Sequence, residues 1–173
     1  MNKPSVDAKP TLPIQDDDHV AGLDSAAITV VAYCAFACPY CGRAYPLIKQ
    51  LQARLKDRLR VAFRHFPLIH KHPLAQQAAE AAESADAQGQ FWAMHDLLFE
   101  NQEALEKDDL YVYAESLDLD VGRFAREVVD RDIRIGQQSG VTGTPTFFIN
   151  GVRHTDEETL ERLVLGMEER RPV

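Results

Sequence analysis

A strand, a cysteine pair and a second strand follow one another closely, and this order constrains the fold more than any other feature. Residues 28–34 form a short apolar run rich in β-branched side chains, as in a buried strand. Residues 60–66 alternate polar and apolar side chains up to Pro67, which indicates a second strand. Between them, apolar residues spaced at i, i+3 and i+7 from Ile48 predict a helix running to about Asp57. The pattern therefore predicts a right-handed βαβ unit.

The second half of the chain returns to strands after a long helical stretch. Residues 146–149 and 152–154 have strand character, and the Asn150-Gly151 pair between them is a strong hairpin signal. An amphipathic helix over 159–170 closes the chain. The predicted class is α/β, a βαβ half and a ββα half. We divide the chain into an irregular lead-in (1–27), a two-part core (28–72 and 139–173) and an inserted helical subdomain (73–138).

Composition and charge exclude several classes of function. The net charge of −8 opposes binding to a phosphate backbone, and the longest basic stripe is Arg58, Arg60 and Arg64, which we expect to flank or solvate a strand. No apolar run approaches the roughly 20 residues of a membrane span. An apolar secretory segment is also missing, so we expect a cytoplasmic protein, or a periplasmic one if a leader has been removed. Neither nucleic acid nor membrane is an expected partner.

Cys38 and Cys41, separated by Pro39 and Tyr40, have the spacing of a disulfide-exchanging dithiol. At a helix start, unpaired N–H groups and the helix dipole stabilise a thiolate, so we predict an exposed, ionised Cys38 that attacks disulfides. Cys41, about one turn further on, would lie deeper and resolve the mixed disulfide. Pro39 suits the first helical turn, where its missing N–H costs nothing, and we count Pro39 and Tyr40 among the expected substrate-binding residues. Tyr40 either lines a substrate groove or occupies an exposed turn.

Two alternatives remain open for the cysteines. Two cysteines at this spacing can also form half of a zinc site. The remaining candidate ligands form no recognisable second pair, so we expect no metal. These candidates are Cys34, His70, His72 and His95. Cys34 itself, four residues before the motif, is interpreted as a small buried hydrophobe, with a third redox thiol as the alternative.

Thr144-Pro145 is the second feature of chemical interest, because the proline directly precedes a strand. A trans proline that opens the strand is the simple interpretation. A cis bond would instead place this turn beside the dithiol and leave backbone groups of Thr144 available to pair with a substrate peptide. Combined with the upstream cysteine motif and the βαβ unit, the sequence favours the cis form, with Thr144 and Pro145 as substrate-binding residues.

Several stretches, in this order and spacing, resemble the DsbA-like branch of the thioredoxin superfamily from about residue 18 onward. They are Asp18-His19-Val20-x-Gly22, Cys38-Pro39-Tyr40-Cys41, Arg64-His65-Phe66-Pro67-Leu68, Gly89-Gln90-Phe91-Trp92-Ala93-Met94-His95-Asp96 and Gly143-Thr144-Pro145-Thr146-Phe147-Phe148-Ile149-Asn150-Gly151. The resemblance implies a thioredoxin-like fold with a helical insertion, a nucleophilic Cys38, a resolving Cys41 and a cis Pro145.

The chain departs from this family at two places. The strongly oxidising type carries histidine where this chain has Tyr40, so we predict a weaker oxidant. Many relatives have an acidic residue shortly before the motif, whereas Ala35 and Ala37 are apolar here, which puts a proton-shuttling carboxylate in doubt.

The resulting hypothesis is an enzyme that exchanges disulfides with protein or peptide substrates and is recycled by a redox partner, without a cofactor. A glutaredoxin-like reductase that uses glutathione is a second candidate, because Cys-Pro-Tyr-Cys is also that family's motif. The long helical insertion and the lack of a Gly-Gly pair after the Pro145 strand argue against it. A peptide-binding or chaperone module with an incidental dithiol is the third. The direction of electron flow stays open.

Overall fold

The computed structural model describes residues 12–120 and 126–168, so residues 1–11, 121–125 and 169–173, including the ends of the predicted lead-in and closing helix, lie outside it. The elements, in chain order, are β1 (His19–Ala21), β2 (Ile28–Cys34), α1 (Pro39–Leu55), a 3-10 turn (Lys56–Arg58), β3 (Leu59–His65), α2 (Ala75–Asp86), α3 (Phe91–Glu100), α4 (Lys107–Ser116), α5 (Arg126–Gln138), β4 (Thr146–Ile149), β5 (Val152–His154) and α6 (Glu158–Glu168).

In the described segments, five strands form one sheet in the order β1-β3-β2-β4-β5. The central pair β2 and β3 is parallel, as a helical crossover through α1 requires, and β4 and β5 are antiparallel additions. The predicted α/β fold, βαβ followed by ββα, is therefore confirmed. The β4–β5 turn follows its sequence signal, because Asn150 and Gly151 both have positive φ, at 48° and 81°.

One strand, β1, was not predicted from the sequence. The lead-in was predicted to be irregular, yet His19–Ala21 pairs antiparallel with β3 at the edge of the sheet. Three residues are too few to show a strand period. Gly22 ends this strand with φ at +106°, and a Cβ atom there would lie 2.3 Å from the Leu59 carbonyl oxygen, so glycine permits the close approach to β3.

The sheet separates two apolar layers, because successive strand residues point to opposite faces. Val30, Ala32 and Cys34 of β2 belong to the larger layer, which also contains both motif cysteines and the buried faces of α1, α2 and α3. Val31 and Tyr33 belong to a smaller layer on the opposite face, which includes Ile135 of α5. All three cysteines therefore lie on one side of the sheet.

Arg64 corrects the expectation that the basic residues near β3 solvate a strand. Its side chain is fully buried, donates to both carboxylate oxygens of Asp18 at 2.9 and 2.6 Å, and donates to the Tyr33 hydroxyl at 2.8 Å. The charge is tolerated in the interior because a buried carboxylate balances it. This ion pair fastens the segment before β1 to the sheet.

Among the described helices, none combines the length and apolar character needed to cross a membrane.

Candidate active site

Cys38 occupies the position just before α1, with extended backbone angles and Pro39 as the first helical residue. The Cys38 N–H donates to the Ala35 carbonyl at 3.1 Å, and the Gly42 N–H donates to the Cys38 carbonyl at 3.0 Å. These two bonds fix the turn that connects β2 to the helix. The helix therefore begins at the cysteine motif, and Cys38 lies at the end where backbone N–H groups are unpaired.

The loop before β4 lies directly against Cys38. The Thr144–Pro145 peptide bond is cis, and the Cys38 thiol donates to the Thr144 carbonyl oxygen with 3.4 Å between sulfur and oxygen. The Thr146 hydroxyl donates to the Gly143 carbonyl at 2.8 Å and holds the loop in place. The structure thus brings together Cys38, Thr144 and Pro145, which the sequence separates by more than 100 residues.

Cys38 differs from its prediction in exposure and ionisation. The residue is 2% exposed rather than open to solvent. A hydrogen bond with Cys41, burial and repulsion from an ionised Cys41 raise the pKa of Cys38 above its usual value, and the Thr144 side chain lowers it. The sequence predicted the helix start, which favours the Cys38 thiolate. The contacts that disfavour this thiolate come from Cys41 and from burial in the folded protein. In the reduced state Cys38 is therefore a thiol.

Cys41 is almost completely buried, as predicted for the deeper residue of the pair. Burial, together with a hydrogen bond between the Cys41 and Cys34 side chains, raises the pKa of Cys41 well above its ordinary value. Ionising both motif cysteines would place two negative sulfurs side by side, so the two titrations are coupled. The site favours at most one thiolate at a time.

Gln102, in the connection between α3 and α4, supports the motif from behind and was not identified from the sequence. Its side-chain amide donates to the Cys38 carbonyl at 3.0 Å and also to the Phe36 carbonyl. Gly42 makes room for this side chain, because a Cβ atom there would lie 1.9 Å from the Gln102 amide oxygen. A glycine inside a helix, at a cost of about 1 kcal/mol, was the available sequence signal.

Pro39 and Tyr40 lie at the surface beside Cys38, and the Tyr40 side chain is exposed. The Arg43 guanidinium lies 4.4 Å from the centre of the Tyr40 ring, and its Nε donates to a Glu157 carboxylate oxygen at 2.6 Å. The contact with Glu157 raises the pKa of Arg43. Arg43 and Glu157 are further members of this surface that the sequence analysis did not select.

Among the described residues, one group of three has the composition and spacing to hold a metal ion. It consists of His19, His65 and Glu83, all buried, with one potential ligand atom from each within 4.8 Å of the others. In the structure both imidazole Nε2 atoms contact the same Glu83 oxygen, at 2.6 and 2.7 Å. Burial opposes ionisation of this carboxyl, but the two histidine hydrogen bonds lower the pKa of Glu83 to about 2. The motif cysteines are not part of this group.

A cysteine pair at a helix start, in contact with a cis-proline loop and carried by a sheet with a βαβ half and a ββα half, is the arrangement of the thioredoxin class of proteins. A family model described as thioredoxin matches residues 15–165, and the chain belongs to that family.

Solved structures share this architecture. A periplasmic thioredoxin-like protein from Salmonella enterica serovar Typhimurium superposes with a TM-score of 0.72 at 20% identity, covering 86% of this chain and 88% of that one. BdbD from Bacillus subtilis gives 0.69 at 22% identity, with 94% and 97% covered. Wolbachia pipientis α-DsbA1 gives 0.71 at 18% identity, with 92% and 94% covered. The predicted DsbA-like arrangement is confirmed at the level of the fold.

Curated relatives with higher identity carry a different kind of name. The Na(+)/H(+) antiporter NhaA 3 of Salinispora tropica is 47% identical over 156 residues, which is 86% of this chain but 24% of the antiporter. The Na(+)/H(+) antiporter NhaA 1 of Mycolicibacterium vanbaalenii is 36% identical over 167 residues, 90% of this chain and 27% of that protein. The chain spans about a quarter of the length of these relatives.

Proposed function

We propose that the protein is a thiol–disulfide oxidoreductase that acts on protein or peptide substrates, with Cys38 as nucleophile and Cys41 as resolving thiol. The observation that carries the proposal is the position of the Cys38 sulfur, which lies at the start of α1 and 3.4 Å from the Thr144 carbonyl oxygen. Cys41 lies one turn further on and hydrogen-bonds to Cys38.

The proposed exchange proceeds in two steps. Cys38 loses its proton and its thiolate attacks one sulfur of a substrate disulfide, so that the substrate bond breaks, a mixed disulfide forms and the other substrate sulfur leaves as a thiolate. Cys41 then loses its proton and attacks the Cys38 sulfur of the mixed disulfide. The second substrate sulfur is released, and the protein holds a Cys38–Cys41 disulfide. The reverse sequence oxidises a substrate dithiol.

Thr144, in the loop that contacts the Cys38 sulfur, supports this chemistry. Its side-chain oxygen is buried and has no hydrogen-bond partner among the described residues, while the Thr144 side chain lowers the pKa of Cys38. The hydroxyl is therefore available to donate to the sulfur once its proton has left. Backbone groups of the same residue would pair with a substrate peptide that enters as an added strand.

The contacts of the two thiols favour a weakly oxidising pair. Stabilising the reduced form of a dithiol makes it a stronger oxidant, and a low thiolate pKa is one way to do so. Here the pKa of Cys38 is raised by the Cys41 hydrogen bond and by burial. We expect a potential closer to the about −200 to −270 mV of glutaredoxins and thioredoxin than to the about −120 mV of a strong oxidant. A redox partner would restore the dithiol after each turnover.

Trapping of the mixed disulfide tests the proposal. Cys41→Ser is mixed with oxidised insulin, and the products are separated without reductant and weighed by mass spectrometry. We expect a covalent adduct through Cys38, while Cys38→Ser gives none. Replacing insulin by glutathione disulfide separates the glutaredoxin-like alternative, which predicts faster turnover with the small substrate. Unchanged insulin reduction by Cys38→Ser would refute the proposed role of the dithiol.

A further inference from the structure

Cys34 is a buried thiol that the proposed reaction does not use. It is the last residue of β2, is 3% exposed and lies on the same face of the sheet as both motif cysteines. The Cys41 side chain hydrogen-bonds to Cys34 as well as to Cys38. Cys41 therefore contacts both other thiols, Cys38, which lies against the cis-proline loop, and Cys34, at the end of β2.

A cavity of about 240 Å³ gives these inner sulfurs room to move. It lies between α1, α3 and the sheet, and both Cys34 and Cys41 line it. Lys49 and Asp96, paired at 2.7 Å and partly exposed, lie at its wall and connect it to the surface. A core packed at ordinary density would leave no such space beside two thiols. The cavity therefore offers space for water beside the inner pair.

We propose that Cys34 is a third redox thiol, which takes over the active-site disulfide by attacking the Cys41 sulfur. The Cys34 thiol first loses its proton to water, and its thiolate forms a bond to Cys41. The Cys38–Cys41 bond breaks, and Cys38 leaves as a thiolate that takes up a proton. One disulfide and one thiol are present before and after, so no external oxidant or reductant is consumed. The inference rests on the proposed function, because that reaction supplies the Cys38–Cys41 disulfide.

The direction of the attack follows from the surroundings of the sulfurs. Exchange is faster when the leaving thiol is the one better stabilised as a thiolate. Cys38 has the helix start and the Thr144 side chain beside it, whereas Cys41 is surrounded by apolar side chains and other thiols. Attack at Cys41 releases Cys38, and Cys34 contacts Cys41. Once the bond has moved, Cys38 has no resolving partner, and mixed disulfides on Cys38 become long-lived.

The Cys38→Ser variant tests the inner pair directly, because two cysteines remain in it. After incubation with glutathione disulfide and unfolding in acid, we expect the free thiols to fall from two per molecule to none, with the mass of an internal disulfide. The matched control is Cys41→Ser, which retains Cys34 and Cys38 and is expected to form no internal bond. Retention of both thiols in a Cys38→Ser variant with native circular dichroism, or addition of glutathione instead, would overturn the proposal.

Differential alkylation tests the exchange in the unaltered protein. The oxidised protein is labelled at its free thiol, reduced and labelled again with a second reagent. All three cysteines fall on one tryptic peptide, since no lysine or arginine separates them, and fragmentation reads the label on each. We expect a fraction carrying the first label on Cys38 instead of Cys34, and Cys34→Ala loses this fraction. First label on Cys34 alone would refute the exchange, whereas absence of any disulfide would refute the proposed function.

Discussion

Among the described residues, the buried motif thiols and the buried carboxylate of Glu83 with its two histidines treat charge in opposite ways. Cys41, 1% exposed, has thiols as its polar neighbours, and burial raises its pKa. Glu83, 3% exposed, accepts from His19 and His65, and its pKa falls to about 2 despite the burial. Desolvation opposes the anion in both places. The difference is the neighbours, because imidazole N–H groups compensate a carboxylate far better than thiols compensate a thiolate.

This difference separates reactivity from stability. The carboxylate cluster is charged at every pH near neutrality and joins β1, β3 and α2 through hydrogen bonds at 2.6 and 2.7 Å. The thiol cluster stays protonated until a disulfide reacts. Its groups are therefore available for exchange and are not needed to hold the fold together. Changes to the first cluster should therefore affect the free energy of unfolding, and changes to the second should affect exchange rates.

The largest expected effect is on activity, from Cys38→Ser. Without the proposed nucleophile, reduction of insulin should fall by on the order of 10³-fold or more, toward the uncatalysed rate. The free energy of unfolding of the reduced variant should stay close to that of the unaltered protein, since serine keeps the side-chain shape and can still donate to the Thr144 carbonyl. Turbidity of precipitating insulin measures the rate, and urea unfolding measures the stability. A large loss of stability with little loss of rate would reverse the comparison.

The next effect is on stability, from Glu83→Gln. The amide has nearly the shape of the carboxylate, and its oxygen can still accept from both imidazoles, but it carries no negative charge. We expect the free energy of unfolding to fall by about 3 kcal/mol, as when one partner of a buried ion pair is lost. Glu115→Gln, at an exposed position of α4, is the matched control and should change it by less than about 0.5 kcal/mol. Equal effects of the two variants in urea unfolding would contradict the role of the cluster.

The pH dependence of stability sharpens the same point. The folded pKa of Glu83, about 2, lies below the ordinary value of 4.5. The carboxylate therefore stabilises the fold fully above pH 4.5, and this contribution is lost as the pH falls from 4.5 toward 2. It amounts to roughly 3 kcal/mol at most. Unfolding curves between pH 6 and 3 should show a smaller slope for Glu83→Gln than for the unaltered protein, and parallel curves would assign the acid sensitivity elsewhere.

A smaller effect is expected from Thr144→Val, which removes the hydroxyl near Cys38 and keeps the side-chain shape. Because that oxygen has no hydrogen-bond partner among the described residues, its loss should leave stability almost unchanged. The pKa of Cys38 should rise, since the Thr144 side chain lowers it. At neutral pH, alkylation of Cys38 in the Cys41→Ser background should slow by about two- to tenfold, the value of one hydrogen bond. Thr142→Val, exposed two residues earlier, is the control.

The sequence predicted those parts of the molecule that depend on local pattern. The apolar run of β2, the helix start at Cys38 and the Asn150-Gly151 turn each follow from neighbouring residues, and the structure has all three. The residues that contact the motif from distant parts of the chain could not be predicted in this way. Gln102 reaches the Cys38 carbonyl from 64 residues away, and its position depends on how α3 and α4 pack.

Buried charge was the other limit of the sequence reasoning. The alternation of polar and apolar residues in β3 placed Arg64 on a polar face. The predicted alternation is correct, but it does not determine whether the side chain is buried. The side chain is buried because Asp18, 46 residues earlier, supplies the matching carboxylate. The prediction that Cys38 is ionised was wrong for a related reason, since the pKa of Cys38 depends on the sulfur of Cys41 as well as on the helix start. Local pattern gives the position of a titratable group, and tertiary neighbours give its charge.

The smallest expected effect concerns the redox potential, from Tyr40→His. An imidazolium at position 40 favours the Cys38 thiolate and hence the reduced form, so the potential should rise. The side chain at this position is 57% exposed, where solvent screens its charge, and the Arg43 guanidinium 4.4 Å from the ring repels a second cation. We therefore expect a rise of at most about 30 mV, equivalent to about 1.4 kcal/mol. Equilibration with glutathione buffers measures it, with Tyr40→Phe as the uncharged control. A rise to about −120 mV would show that one residue beside the thiols, and not their burial against one another, sets the oxidising strength of this pair.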